Sequence, residues 1–143
     1  MSCCPDTIGE GVGVISMKSV EELDVYKLGM DIVVEIYKIT RGFPKEELFG
    51  LSSQMRRAGV SITSNLAEGG SRNTTSEYKH FVGIAKGSAA ELRSQVQISQ
   101  KLGFISDEVF IGLTNKLNQI GRMLAGLIAR LSITPTLAPT PNK

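Results

Sequence analysis

Tryptophan is absent, histidine occurs once, aromatic residues make up 6% of the chain, and the two cysteines are the neighbours Cys3 and Cys4. Each scarcity closes a class of function. Adjacent cysteines rarely reach the geometry of a mutual bridge, so no disulfide framework is encoded, and a reducing, cytoplasmic setting is the natural expectation. No apolar stretch approaches about 18 residues, and residues 1–16 lack the basic start and apolar run of a secretory signal, so no membrane partner is expected. Period-two alternation never persists, which leaves no strand pattern to compete with helices.

What is present is enough chain for one domain. A chain of 143 residues buries roughly 68% of the surface that its unfolded form exposes, so a core without staples is feasible. Residues 1–17, with Gly9, Gly11 and Gly13 among short side chains, show no period and are expected to form a disordered leader. The Pro- and Thr-rich tail, 132–143, carries Pro135, Pro139 and Pro141 and is expected to be mobile. The organised unit is 18–131.

Within that unit the apolar residues fall into four helical periods. Phe110, Leu113, Leu117, Ile120, Leu124, Leu127 and Leu131 follow in alternating steps of three and four, the seam of a helix from about Asp107 to Leu131. Ser106, Asp107 and Glu108 cap its start. The same steps recur in Tyr78, Val82, Ala85, Ala89, Leu92, Val96 and Ser99, and again in Leu51, Met55, Ala58, Ile62 and Asn65. The first helix, about Leu23 to Thr40, shows two stripes: Val25, Ile32, Ile36 and Ile39 on one, Tyr26, Met30, Val33 and Tyr37 on the other. Its apolar face is too broad for a single seam and suggests contact beyond its own bundle. Connections at Arg41 to Gly50, Gly69 to Thr74 and Leu102 to Ile105 are short, so the expected architecture is an all-α, antiparallel, up-down-up-down four-helix bundle.

The net charge of +2 conceals a division. Residues 1–47 hold 5 basic and 9 acidic groups, whereas 48–143 hold 11 and 5. Such a separation suits an acidic partner such as nucleic acid, and equally suits subunits that attract one another head to tail. At about 100° per residue, Lys79, Lys86 and Arg93 share an azimuth on the third helix and form a basic ribbon about 21 Å long. Glu77, Ser88, Glu91 and Gln95 lie on the other flank. The backs of two helices are small: Gly83, Gly87, Ala90 and Ser94 on the third, Val60, Thr63 and Ala67 on the second. Glycine inside a helix costs about 1 kcal/mol relative to alanine, which makes sense on an outer face where another backbone comes close. Asn65 lies on the core stripe and needs a partner if buried.

No motif builds a catalytic site. Glu77-x-x-His80 has the spacing of a di-iron bundle, but such sites need two copies of that motif and two further glutamates. Moreover, His80 points roughly 160° from the core stripe. Gly59-x-Ser61-x-Thr63 lacks the last glycine of a nucleophile elbow and lies in mid-helix. Gly83 through Lys86-Gly87-Ser88 reverses the lysine and glycine order of a phosphate loop and follows no strand. The chain is therefore expected to be non-enzymatic, with neither metal nor cofactor.

Several stretches carry a family resemblance: Phe43-Pro44 through Phe49-Gly50-Leu51, Ser53-Gln54-Met55-Arg56-Arg57-Ala58 continuing through Ser61 to Gly69, Ala85-Lys86-Gly87-Ser88 with Glu91-Leu92 and Gln95, and Arg122-Met123-Leu124 with Gly126-Leu127-Ile128. Together they resemble the four-helix-bundle family first noticed in intervening sequences of large-subunit ribosomal RNA genes. Departures are Tyr26 where tryptophan is common, Gly59 where alanine is usual, Thr63 where proline often stands, and Ala89 where leucine is expected. The resemblance implies a homo-oligomer, with pentameric rings among relatives. It also implies kinship to the accessory protein of diversity-generating retroelements, which binds nucleic acid and a reverse transcriptase. Arg56, Arg57, Lys79, Lys86, Arg93 and Arg122 are the candidates for binding RNA or DNA. Val60, Thr63, Ala67, Gly83, Gly87 and Ala90 are the candidates for an interface between subunits. The alternative is a protein-only scaffold in which the same charges join subunits or hold a protein partner. Little net charge and few exposed aromatics speak against a strong nucleic-acid field or a stacking platform.

Overall fold

Helix boundaries follow local chemistry. In the computed structural model, which describes residues 20–133, the helices are α1 (Val20–Thr40), α2 (Leu51–Gly70), α3 (Thr75–Lys101) and α4 (Asp107–Ile133), with one 3-10 turn at Lys45–Glu47. The expectations for residues 1–17 and for most of the tail lie outside the described residues. Thr74 Oγ1 accepts the Glu77 amide and Ser106 Oγ accepts the Val109 amide, each at 3.1 Å, so α3 and α4 begin at side-chain caps. Gly50 has no side chain to do this for α2, and Glu47 Oε1 instead accepts the Leu51 amide at 3.0 Å. α3 stops at Gly103, whose φ of 81° favours glycine. The Gly103 amide bonds Gln100 O at 3.0 Å and the Phe104 amide bonds Ser99 O at 2.9 Å, a Schellman closure. α4 runs two residues beyond the expected Leu131, taking Ser132 and Ile133 into the helix.

The four apolar periods meet in one core. Every residue of the α3 stripe, from Tyr78 to Ser99, is buried, as are Leu113, Leu117, Ile120, Leu124 and Leu127 of α4. α2 contributes Met55, Ala58, Ile62 and Leu66, and α1 contributes Val25, Ile32 and Ile36. α2 packs on α3, α3 on α4, and α1 closes the square against α2 and α4. Ser99 Oγ near the end of α3 reaches Met55 Sδ near the start of α2 at 3.3 Å. Lys79 at the start of α3 bonds Ser132 at the end of α4, and Gln100 bonds Asp107 at the other end, both at 3.0 Å. Phe43 and Phe104, with ring centroids 5.2 Å apart, close one end of the core. At the other end Arg130 pairs with the buried Glu22 at 3.3 Å. Burial, reinforced by the Glu22 carboxylate, pushes the neighbouring Tyr78 phenol well above the ordinary tyrosine range.

Two expectations for α2 are corrected. Thr63, placed by projection on an outer back, is 8% exposed; its methyl faces α1, where a β-carbon added at Gly29 would stand 3.0 Å from Thr63 Cγ2. Ala67 is half-buried. Glycine at 29 and at 59, the latter against Val33, lets α1 approach α2 closely and cover a wider arc than one stripe. Asn65 is half-buried, and its amide donates to Ser61 O at 2.8 Å and Ser61 Oγ at 2.9 Å, so the partner it needs lies one turn back on its own helix.

Gly69 marks the tightest contact between α2 and α3. A β-carbon there would stand 2.9 Å from Phe81 Cβ and Tyr78 Cδ1, and 3.3 Å from the Tyr78 carbonyl oxygen. Overpacking of this kind costs about 1–3 kcal/mol, which exceeds the gain in helix propensity of up to about 1 kcal/mol. Gly69→Ala should therefore lower the urea midpoint with an unchanged slope, measured by far-ultraviolet circular dichroism. A midpoint equal to or above that of the parent would show that the contact is looser than described.

Candidate nucleic-acid interface

α3 buries one stripe, and its two flanks have different fates. The flank with Ser88 turns toward α2, where Ser88 Oγ lies 2.7 Å from Ser61 Oγ, while Glu91 accepts the Gln95 amide of its own helix at 3.3 Å. The opposite flank, with Lys79, Lys86, Arg93 and Gln100, turns toward α4, as the bonds from Lys79 and Gln100 to that helix demonstrate. Arg122 projects from α4 on the same side. Between the two helices lies a groove of about 650 Å³ whose lining includes Lys86, Arg93, Asn118 and Arg122, with Gly83, Gly87 and Ala90 of α3 and Gly121 and Ala125 of α4.

This groove combines two properties. No carboxylate lines it, and Lys86, Arg93 and Arg122 are exposed and take part in no ion pair among the described residues. In addition, β-carbons added at Gly83, Gly87 or Gly121 would meet nothing within 4 Å. The helix backbone is thus laid bare where the cations gather, and internal packing requires none of these glycines.

The six basic candidates do not form one patch. Lys79, Lys86, Arg93 and Arg122 follow the α3–α4 side, although Lys79 is held by Ser132 beyond the groove lining. Arg56 belongs elsewhere. Its Nε donates to Thr40 Oγ1 at 2.9 Å and its guanidinium lies 4.9 Å from the centre of the Tyr37 ring, so it ties α2 to the end of α1. Arg57 is exposed beside it in an α1–α2 cleft that also includes Val60 and Ser61. Of the interface candidates, Gly83, Gly87 and Ala90 line the α3–α4 groove, Val60 lines the α1–α2 cleft, and Thr63 and Ala67 lie at the contact with α1 or beside it. Sequence reasoning missed Asn118, Gly121 and Ala125. Their steps of three and four ran beside the leucine seam of α4, but small and amide side chains give no hydrophobic signal.

Other charges pair with one another away from the groove. Lys116 pairs with Glu35 at 2.9 Å, Arg130 with Glu21 and Glu22, and Arg72 with Glu68 one turn away while lying over Phe81. Glu68 is thereby satisfied by a partner four residues on. His80 is exposed, its ring edge-on to Phe81. Among the described residues no group of three or more His, Cys, Asp or Glu could hold a metal ion, and no helix is long and apolar enough to cross a membrane.

Four helices around a single core define an all-α four-helix bundle. Residues 21–126 match the family described as 23S rRNA-intervening sequence protein. The chain belongs to that family. Its fold is similar to that of a protein with unknown function from the S23 ribosomal protein family from Bacteroides thetaiotaomicron VPI-5482, with a TM-score of 0.71 and 20% identity over 77% of this chain and 99% of the other. No curated protein matches the sequence.

If nothing inside the chain needs glycine at 83 and 87, alanine there should stabilise the fold. Helix propensity sets the gain at up to about 1 kcal/mol for each site. Gly83→Ala and Gly87→Ala should each raise the thermal midpoint in circular dichroism. A lowered midpoint would reveal a packing role that the open surroundings do not show.

Proposed function

We propose that the chain is a non-enzymatic adaptor that binds nucleic acid along the α3–α4 groove and works as a closed homo-oligomer. The observation that carries the reading is the set of three cations, Lys86, Arg93 and Arg122, around one groove without a carboxylate to balance them. Uncompensated arginine and lysine over bare backbone suit phosphates, which accept charge-assisted hydrogen bonds. The end-to-start contacts between successive helices support an antiparallel, up-down-up-down arrangement. In that arrangement the groove follows the middle of α3 and of α4 and is repeated on each subunit of a ring.

A specific observation also favours assembly and the protein-only alternative. α1 exposes Leu23, Met30, Val34 and Tyr37 in one band, with Met30 at 44% and Val34 at 50%. A second subunit would cover such a band, and a reverse transcriptase is the first heterologous partner to test. Exchanging Met30 and Val34 for lysine should shift the light-scattering mass toward the monomer while leaving helicity unchanged; a parent protein that is already monomeric at micromolar concentration overturns the ring.

Nucleic-acid binding is tested by replacing Lys86, Arg93 and Arg122 together with alanine. Each lost phosphate contact removes about 0.7 to 0.9 from the log–log salt slope, so the triple variant should bind more weakly and with a slope flatter by about 2 to 3. Fluorescence anisotropy over a salt series reads both quantities. An unchanged slope and unchanged mass would leave the groove a solvated surface. A shift of mass to monomer with no nucleic-acid binding in the parent would favour the scaffold.

A further inference from the structure

We infer that the α3–α4 groove receives the sugar-phosphate ridge of a double-stranded nucleic acid and does not hold the bases of a single strand, an inference that rests on the nucleic-acid reading of this groove. Single strands are gripped by stacking bases on aromatic rings, at about 1–3 kcal/mol per base. No aromatic side chain lines the groove. The exposed rings are Tyr37 on α1, Phe49, 91% exposed, in the connection between α1 and α2, and His80 on α3, which lies edge-on to Phe81 outside the groove lining. None of them lines the groove, which therefore has charge without a stacking platform.

The spacing of the cations points the same way. Lys79, Lys86 and Arg93 stand along an unbroken helix of 27 residues, at steps of about 10.5 Å. A flexible strand must lose conformational freedom to follow a fixed line, whereas a duplex presents its phosphates already fixed in space. The trough is also smooth: glycine at 83 and 87 leaves open space above the backbone, and Ala90 and Ala125 add only methyl groups. A convex ridge can therefore come close to the backbone between the cations. Asn118 is the one uncharged polar side chain in the lining with the amide geometry to read a base edge, so recognition is by shape and charge and largely independent of sequence. Duplex RNA and duplex DNA share the phosphodiester chemistry, and the contact between backbone and 2′-hydroxyl distinguishes them.

The test uses the full chain, labelled RNA and DNA duplexes of about 20 base pairs in two unrelated sequences, and their separated strands, compared by anisotropy at one salt concentration. Each preferred duplex should bind about tenfold tighter than its strands, with the two sequences within about threefold of one another. Gly87→Leu, which fills the floor without touching the core, should weaken duplex binding by about tenfold or more while helicity and oligomeric mass stay as in the parent. Preference for the RNA duplex identifies a 2′-hydroxyl contact and equal binding identifies phosphate alone; either upholds the inference. Single strands that bind as tightly as duplexes, or an unaffected Gly87→Leu, overturn it. In that case, if the triple alanine variant of Lys86, Arg93 and Arg122 still loses binding, the groove remains a nucleic-acid site; if no nucleic acid binds the parent, the proposed function itself is lost.

Discussion

Ala85 and Ala89, buried at mid-height on α3, set how the outside of the bundle is made. Their small side chains let α3 settle between α2 and α4 on a narrow stripe, with larger residues, Tyr78, Val82, Leu92 and Val96, filling the core above and below. A helix buried on a narrow stripe keeps two flanks and a back outside. One flank is used up by α2 through Ser88 and Ser61. The other bonds α4 at its ends, through Lys79 with Ser132 and Gln100 with Asp107, and the stretch between them borders the cationic groove. Had leucine stood at 89, as the family resemblance leads one to expect, the extra volume would have had to push α3 outward or find room by repacking.

The charge asymmetry of the sequence has a structural cause that the overall sum conceals. Much of the acidic excess before residue 48 is spent inside the bundle. Glu21 and Glu22 hold Arg130, Glu35 holds Lys116, and Glu47 caps α2. These carboxylates secure α1, the helix with the least contact to its neighbours, and they neutralise the cations of α4 that face it. Arg122 faces the other way and is left out of that exchange, as are Lys86 and Arg93. The groove is electropositive because the acidic residues are needed on the opposite side of α4, and a net charge of +2 is no guide to the local field.

The core was legible in the sequence because leucine, isoleucine and valine report their burial by period alone. The stripes of α3 and α4 read from spacing are those that the structure buries, with only the ends, Phe110 and Leu131, half-exposed. Spacing failed where a second helix widened the buried arc. Thr63 projects to the back of α2 when that helix is considered alone, but glycine at 29 and 59 draws α1 over it. Arg56 failed for a related reason: a guanidinium between Thr40 and Tyr37 is indistinguishable by composition from one that faces solvent. The groove was half legible. One wall, from Gly83 to Arg93 with Lys86 and Gly87, follows from the azimuth of a single helix, whereas the pairing of that wall with Gly121, Arg122 and Ala125 depends on the rotation of α4 about its own axis, which no local pattern reports.

Local rules and the global fold part in the groove, though not there alone, since Gly112 and Gly126 of α4 also lie inside a helix with nothing within 4 Å of an added β-carbon. Two glycines lie in the interior of α3, at a cost of about 1 kcal/mol each relative to alanine, and no neighbouring group inside the chain requires them. Three cations surround them without counter-charges, where exchange of one for glutamate would have supplied pairing at no steric cost. Sequences that specify a fold consistently usually break their own local rules at functional positions, and here the broken rules of two different kinds, backbone and electrostatic, coincide in one groove. A solvated face accounts for the cations but not for the glycines. A subunit contact accounts for the glycines, but would have to bring its own carboxylates to balance the cations. A phosphate backbone satisfies both conditions at once, since it needs close approach to the helix and carries the charge that the groove lacks.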